Sequence, residues 1–174
     1  MIEEIAIVNN KDEVVGKANR KEVHKKGLLH REAYLFIFNK KCEILLTMAA
    51  DTNLWDCSVA GHFLFYESYK EGIIREANEE LGINLREEEL ELTNIFRHQE
   101  IKPNQINNRF IGIYITNLNL NTTDLSINKE EISGVKYFNL KELQDAITHS
   151  PELFEPRFIL AFNIWKKFKL HEDV

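Results

Sequence analysis

Cysteine, proline and glycine are scarce in this chain, and each scarcity removes a class of protein. Cys42 and Cys57 are the only two cysteines. They are too few for a disulfide framework and form no CxxC pair, so both are expected to be small buried residues. Three prolines and seven glycines in 174 residues leave no interdomain linker, and no repeat or low-complexity segment is found. Long apolar runs are missing as well. Nothing approaches the roughly 20 residues needed to span a bilayer, and "MIEEIAIVNN" lacks the basic start and apolar stretch of a secretory signal. A cytoplasmic protein with no membrane partner is expected. Positive charge is also short, with 22 Lys and Arg against 28 Asp and Glu and a formal net charge of −6. That balance argues against sequence-independent binding to duplex nucleic acid. If the substrate is an anion, a cation must come between it and the chain.

With 44% hydrophobic and 29% charged residues, the sequence predicts one globular domain over residues 1–174. "EIAIVN" and "EVVGKA" read as a hairpin around "NNKD", and "EAYLFIFN" and "CEILLTM" as another around "NKK". "NRKEVHKKG" is a helical turn or loop, and "AADTNLWDCSVAG" is less regular. A central helix follows, with Ser68 and Glu71 at capping-box spacing and Gly82 as its stop. "LELTNIFRHQEI", "NRFIGIYITN" and "SGVKYFNL" are further strands, the last preceded by an Asn-rich loop. Asn139 caps the next helix. The final one, "PRFILAFNIWKKFKL", is apolar on more than one side, which suits clamping by the core and leaves a homodimer contact as its other use. Together these elements suggest a mixed β-sheet covered on two faces, of the α/β class.

The central helix carries Glu76, Glu79 and Glu80 within a sector of about 100°, beside Ile73, Ile74, Ala77 and Leu81. Like charges at this spacing cost roughly 0.2–0.5 kcal/mol per pair, and desolvation at the edge of a buried face raises that cost unless a cation sits among them. Oxygen-only donors suit Mg²⁺ or Mn²⁺, which also favour phosphate oxygens. Arg75, four residues before Glu79, can hold it by an ion pair without competing for the metal.

From Gly61 onward the chain fits G-x5-E-x7-R-E-U-x-E-E-x-G-U, where U is aliphatic, with Gly61, Glu67, Arg75, Glu76, Ala77, Glu79, Glu80, Gly82 and Ile83 in register. This resembles the Nudix box. The resemblance implies a Nudix-type α/β/α sandwich. Its metal site is Glu76, Glu79 and Glu80 with a backbone oxygen near Gly61, and Arg75 and Glu67 support the helix. The implied activity is Mg²⁺- or Mn²⁺-dependent hydrolysis of a diphosphate bond in a nucleoside diphosphate derivative or similar small molecule. The water could be deprotonated by Glu79, by Glu80, or by an extra carboxylate at Glu130 or Glu131.

A narrower likeness covers about residues 8 to 83, where "NKDEVVGKANRKEVHKKGLLHREAYLFIFN" and "LWDCSVAGH" are similar to the subgroup related to isopentenyl-diphosphate isomerase. In that enzyme, histidines in corresponding regions bind a metal, so His24, His30 and His62 are candidates for a second ion; the alternative is polar surface near turns. The isomerase also uses a cysteine before the box glycine and a glutamate on a downstream strand. Here the first position is Ala60 and the second falls near Asn107 or Asn108, while Cys57 lies three residues early and, on a strand, one face away from Ala60. An isomerase remains the alternative enzyme class, and a non-catalytic nucleotide-binding module the third reading. Trp55, Phe63 and Tyr66 either stack on a base or pack. Gly72, inside the helix, costs about 0.5–1 kcal/mol relative to alanine.

Overall fold

The computed structural model describes residues 4–103 and 105–172. Two polar turns start the fold by the same device. In "NNKDE" the Asn9 side chain accepts from the Lys11 and Glu13 amides and donates to Glu13, and in "NKKCE" Asn39 repeats all three bonds with Lys41 and Glu43. Each turn closes with a left-handed residue, Asp12 at φ 61 and Cys42 at φ 58. Cys42 is therefore exposed, contrary to the burial expected from its residue type, because the turn holds it outside the sheet. Cys57 is buried.

These turns join β1 (Glu4–Val8) to β2 (Val14–Asn19) and β3 (His30–Phe38) to β4 (Ile44–Ala49). Between the hairpins lies α1 (Arg20–Lys26), a true helix, capped by Asn19 and closed by Gly27 at φ 64. The segment read as less regular forms two short strands, β5 (Trp55–Asp56) and β6 (Val59–His62). The box helix is α2 (Tyr69–Leu81), with the expected Ser68–Glu71 capping box and Gly82 at its C-terminal end. β7 (Glu91–Lys102), β8 (Gln105–Asn117), β9 (Ile132–Phe138), α3 (Leu140–His149) and α4 (Pro156–Glu172) complete the chain.

β3 is the axis of a mixed sheet. It runs parallel to β8 from His30↔Arg109 to Phe38↔Asn117, and its other edge meets β1, β6 and β4 in turn, all antiparallel. Both faces are covered, so β3 is apolar nearly throughout rather than alternating. Its odd-numbered residues Ala33, Leu35 and Ile37 pack with Ile73, Ala77 and Leu81 of α2. Its even-numbered residues Tyr34, Phe36 and Phe38 pack with α3 and with Phe158, Ala161, Phe162 and Trp165 of α4. The result is the expected α/β/α sandwich with one core on each face. The last helix is held by that core, and no helix among the described residues is long and apolar enough to cross a membrane.

The mid-helix glycine has a packing cause. A Cβ at Gly72 would lie 2.0 Å from Cδ1 of Phe63, a fully buried ring stacked edge-on against Tyr69. Gly72→Ala should therefore destabilise the protein by about 1–3 kcal/mol through overpacking, against its gain in helix propensity. Gly16→Ala, where nothing lies within 4 Å, should change stability little; urea denaturation of both variants measures the contrast.

Candidate active site

α2 is fastened to the loop before it by one side chain. Arg75 donates from Nε to Glu67 Oε1 at 2.7 Å, from Nη2 to Glu67 Oε2 at 3.0 Å, and from Nη2 to the His62 carbonyl at 2.9 Å. Glu67 in turn accepts from the Leu64 amide at 2.8 Å. Nη1 reaches Glu79 Oε2 at 2.9 Å, as the spacing predicts, and also Glu76 Oε1 at 3.0 Å. The expectation that Arg75 orients one carboxylate is thus extended: it contacts Glu76 as well as Glu79, because neighbouring turns of the helix bring both carboxylates to one guanidinium.

Position separates the three glutamates. Glu79 is exposed, Glu76 half-buried and Glu80 buried. Burial pushes the Glu76 carboxyl up to about 7 despite Arg75, with Glu79 and Glu131 adding to the shift. Glu80 is raised well above its ordinary value by burial and then by Glu76, Glu131 and Asp56. Gly61 faces this cluster from β6, and a Cβ there would lie 2.2 Å from Glu76 Cδ. The Glu131 loop is tied to the end of α2 by Ser126 N to Leu81 O at 3.1 Å and Asn128 N to Glu80 O at 2.9 Å. Glu80, Glu130, Glu131 and Gly61 border one cavity of about 330 Å³. Carboxyls raised by burial and by acidic neighbours beside bare backbone form a donor set suited to a hard divalent cation.

An adjoining cavity of about 240 Å³ shares Arg20, Glu32, His62 and Arg157 with the first. Here the even face of β3 turns from hydrocarbon to polar chemistry. His30 and Glu32 share that face by the two-residue period, Glu32 lies directly opposite His62 on β6, and His30 opposite Arg109 on β8. His24 joins from α1. The three imidazole rings stand 5.1, 5.1 and 5.2 Å apart, centre to centre, and one ligand nitrogen from each lies within 4.8 Å of the others. His24 Nδ1, His30 Nε2 and His62 Nε2 are buried without a hydrogen-bond partner.

His30 Nδ1 lies 2.9 Å from the Leu28 carbonyl and must donate to it. Burial, with His62 adding, pushes His30 down to about 4. The ring is therefore neutral at pH 7 and presents a bare Nε2. His62 is lowered by burial too. Glu32 accepts from Arg109 Nη1 at 2.9 Å and from the Tyr34 hydroxyl at 2.9 Å. Burial raises Glu32, but His62 and Arg109 more than offset it and hold it well below the carboxylate range. Across the cavity Arg157 Nε donates to Asp56 Oδ2 at 2.7 Å.

Gly61, Glu67, Arg75, Glu76, Glu79, Glu80 and Glu131 thus gather around α2, and His24, His30 and His62 gather beyond β6. Trp55 packs edge-on against Phe138, Phe63 lies in the core, and Tyr66 is 78% exposed, so none of the three borders either cavity. Cys57 does not lie a face away from Ala60: it sits between β5 and β6, where strand alternation fails, and both border the larger cavity. Burial and Asp56 raise its thiol well above the ordinary value. Glu32, Asp56, Arg109 and Arg157 were missed by sequence reasoning. The His-x-Glu spacing of His30 and Glu32 was the available signal.

The NUDIX domain model matches residues 28–158, and the chain belongs to that family. Curated relatives include isopentenyl-diphosphate Delta-isomerase 2 of Photorhabdus laumondii, 29% identical over 173 residues with 94% of this chain and 92% of that protein covered. Another is an uncharacterized Nudix hydrolase of Clostridium acetobutylicum, 29% identical over 145 residues, covering 79% of this chain and 70% of that one. Among solved structures, a Deinococcus radiodurans protein superposes with a TM-score of 0.71 at 21% identity, covering 92% of this chain and 98% of its own.

The raised acids have a consequence for stability. A folded-state carboxyl near 7 binds protons that the unfolded chain has released above its ordinary value of 4.5, so metal-free stability falls as pH rises through that window. Glu76 accounts for up to about 3 kcal/mol of this. Glu76→Gln should raise the melting temperature of chelator-treated protein at pH 8 and change it little at pH 4.5. Excess Mg²⁺ should narrow the difference at pH 8; thermal melts at both pH values check it.

Proposed function

We propose that this protein is a divalent-metal-dependent Nudix hydrolase that cleaves a diphosphate linkage in a nucleoside diphosphate derivative or a similar small molecule. The carrying observation is that Glu76 and Glu80, both raised by burial and by acidic neighbours that include Glu131, meet the bare Gly61 backbone beside a cavity bordered by Glu80, Glu131 and Gly61. Glu76, Glu79, Glu80 and the Gly61 backbone would hold Mg²⁺ or Mn²⁺. A bound ion there supplies neutralisation of phosphate charge and a more acidic water. Arg75 and Glu67 fix the pitch of α2 against β6, and Glu79, Glu80 and Glu131 are the candidates to take the proton of the attacking water. We further propose that His24, His30 and His62 hold a second, borderline ion, supported by their three unpartnered nitrogens.

The isomerase reading retains one specific support besides its named relatives: the Cys57 thiol borders the cavity. Against it, Ala60 and either Asn107 or Asn108 occupy positions that an isomerase would give to proton-transferring groups. Arg157 borders that cavity and, with Arg109, the adjoining one, and these guanidinium groups disfavour a hydrocarbon moiety that gains positive charge.

Glu80→Gln is expected to lower Mg²⁺-dependent turnover by about 10²–10⁴-fold while leaving the fold at least as stable. Nucleoside diphosphate sugars, dinucleotides, oxidised nucleotides and prenyl diphosphates, each with Mg²⁺ or Mn²⁺, are the substrates to screen. Phosphate-containing products mark hydrolysis, and a rearranged prenyl diphosphate marks isomerisation. Full hydrolysis by the variant, or isomerisation alone by the parent protein, counts against the proposal.

A further inference from the structure

Glu32 stands in the histidine cluster without behaving as its hydrogen-bond partner. Its Oε1 lies 3.0 Å from His62 Nε2 and 4.0 Å from His30 Nε2, yet both nitrogens are unpartnered. The His62 contact therefore has the distance of a hydrogen bond and not its alignment. The His30 nitrogen faces the same carboxylate with no partner either, so buried ligand atoms crowd one point without hydrogen bonds between them. Such an arrangement is unfavourable unless a cation lies between the groups. Donors at ~2.0–2.1 Å from one ion and at the tetrahedral angle stand about 3.4 Å apart, a value that the 3.0 and 4.0 Å separations bracket.

We propose that Glu32 is the fourth protein donor of a metal centre whose other donors are His24, His30 and His62. The inference rests on reading those histidines as a metal site. Three imidazoles and one carboxylate suit Zn²⁺, Co²⁺ or Mn²⁺ rather than Mg²⁺. Glu32 is 1% exposed and is aimed by its own neighbours: Tyr34 donates to Oε2, and Arg109 shares Oε1. A carboxylate oxygen has lone pairs enough to bind an ion and accept from Arg109 together. Outer partners of this kind fix the orientation of a metal-binding side chain. An ion pair made only to neutralise Arg109 would explain the 2.9 Å contact but not the three unpartnered nitrogens around it.

Chelator-stripped protein titrated with Co²⁺ in excess Mg²⁺, followed by visible absorption and displaced by Zn²⁺, reads this centre without reference to activity. The parent protein should bind one equivalent. Glu32→Gln should weaken Co²⁺ binding by more than the ~10–100-fold that loss of an outer partner costs and alter the spectrum. Arg109→Met breaks the same ion pair from the other side but leaves the donor oxygen in place, so it should weaken binding clearly less than Glu32→Gln and keep a spectrum close to the parent's. The double variant, which buries no unpaired charge, should fold, as circular dichroism would report, and bind as weakly as Glu32→Gln.

Unchanged affinity and spectrum in Glu32→Gln would overturn the assignment, and so would equal losses in Glu32→Gln and Arg109→Met. If the parent protein binds no Co²⁺, the histidine reading falls with it. Mg²⁺-dependent hydrolysis through Glu80, measured separately, would stand or fall on its own.

Discussion

The two-residue period of β3 is the constraint from which the rest of the molecule follows. The strand is buried on both sides and pinned by nine consecutive pairs to β8, so a slip of one residue would exchange its faces entirely. One face meets α2 and the other meets α3 and α4. At the His30 end the same alternation delivers two polar groups, His30 and Glu32, to the α4 face. The short β6, paired antiparallel, adds His62 to that face and Gly61 to the opposite one. A single pairing therefore allots imidazoles to one site and the bare backbone beside Glu76 to another.

Electrostatics explains why these sites lie at the strand ends and not mid-core. Glu80, Glu32, Asp56, Arg109 and His30 are all nearly inaccessible to solvent, and isolated charges of this kind are costly to bury. Arg109 and Arg157 neutralise Glu32 and Asp56 through direct contacts. Arg75 serves Glu67, Glu76 and Glu79 at once. Among the described residues Glu80 makes no such direct contact, and burial with its acidic neighbours raises its carboxyl well above the ordinary value. Around α2 the acids outnumber the available guanidinium groups, and that imbalance supports the proposed cation there.

Much of this was legible in the residue order. Fixed spacing located α2, its Ser68 cap, its Gly82 stop and the stripe of Glu76, Glu79 and Glu80, because helical neighbours are set by local geometry alone. The hairpins were legible from their Asn-led turns. Other features were out of reach. Gly72 registered only as a cost to the helix, since Phe63, which requires it, lies nine residues away on a loop. Cys42 was assigned to the interior on residue type, whereas the Asn39 turn holds it outside. Cys57 was displaced from the Ala60 face by an alternation rule that does not apply between two short strands.

The sequence by itself determined the α/β class, the box helix and the acid stripe upon it, because these depend on contacts within a few residues and on a motif in fixed register. Only the tertiary structure decided that His24, His30 and His62 converge, that Glu32 sits among them, and that Arg109 and Arg157 reach in from β8 and α4. Those groups come from α1, β3, β6, β8 and α4, whose mutual placement is fixed by strand register and core packing, and no local spacing encodes it.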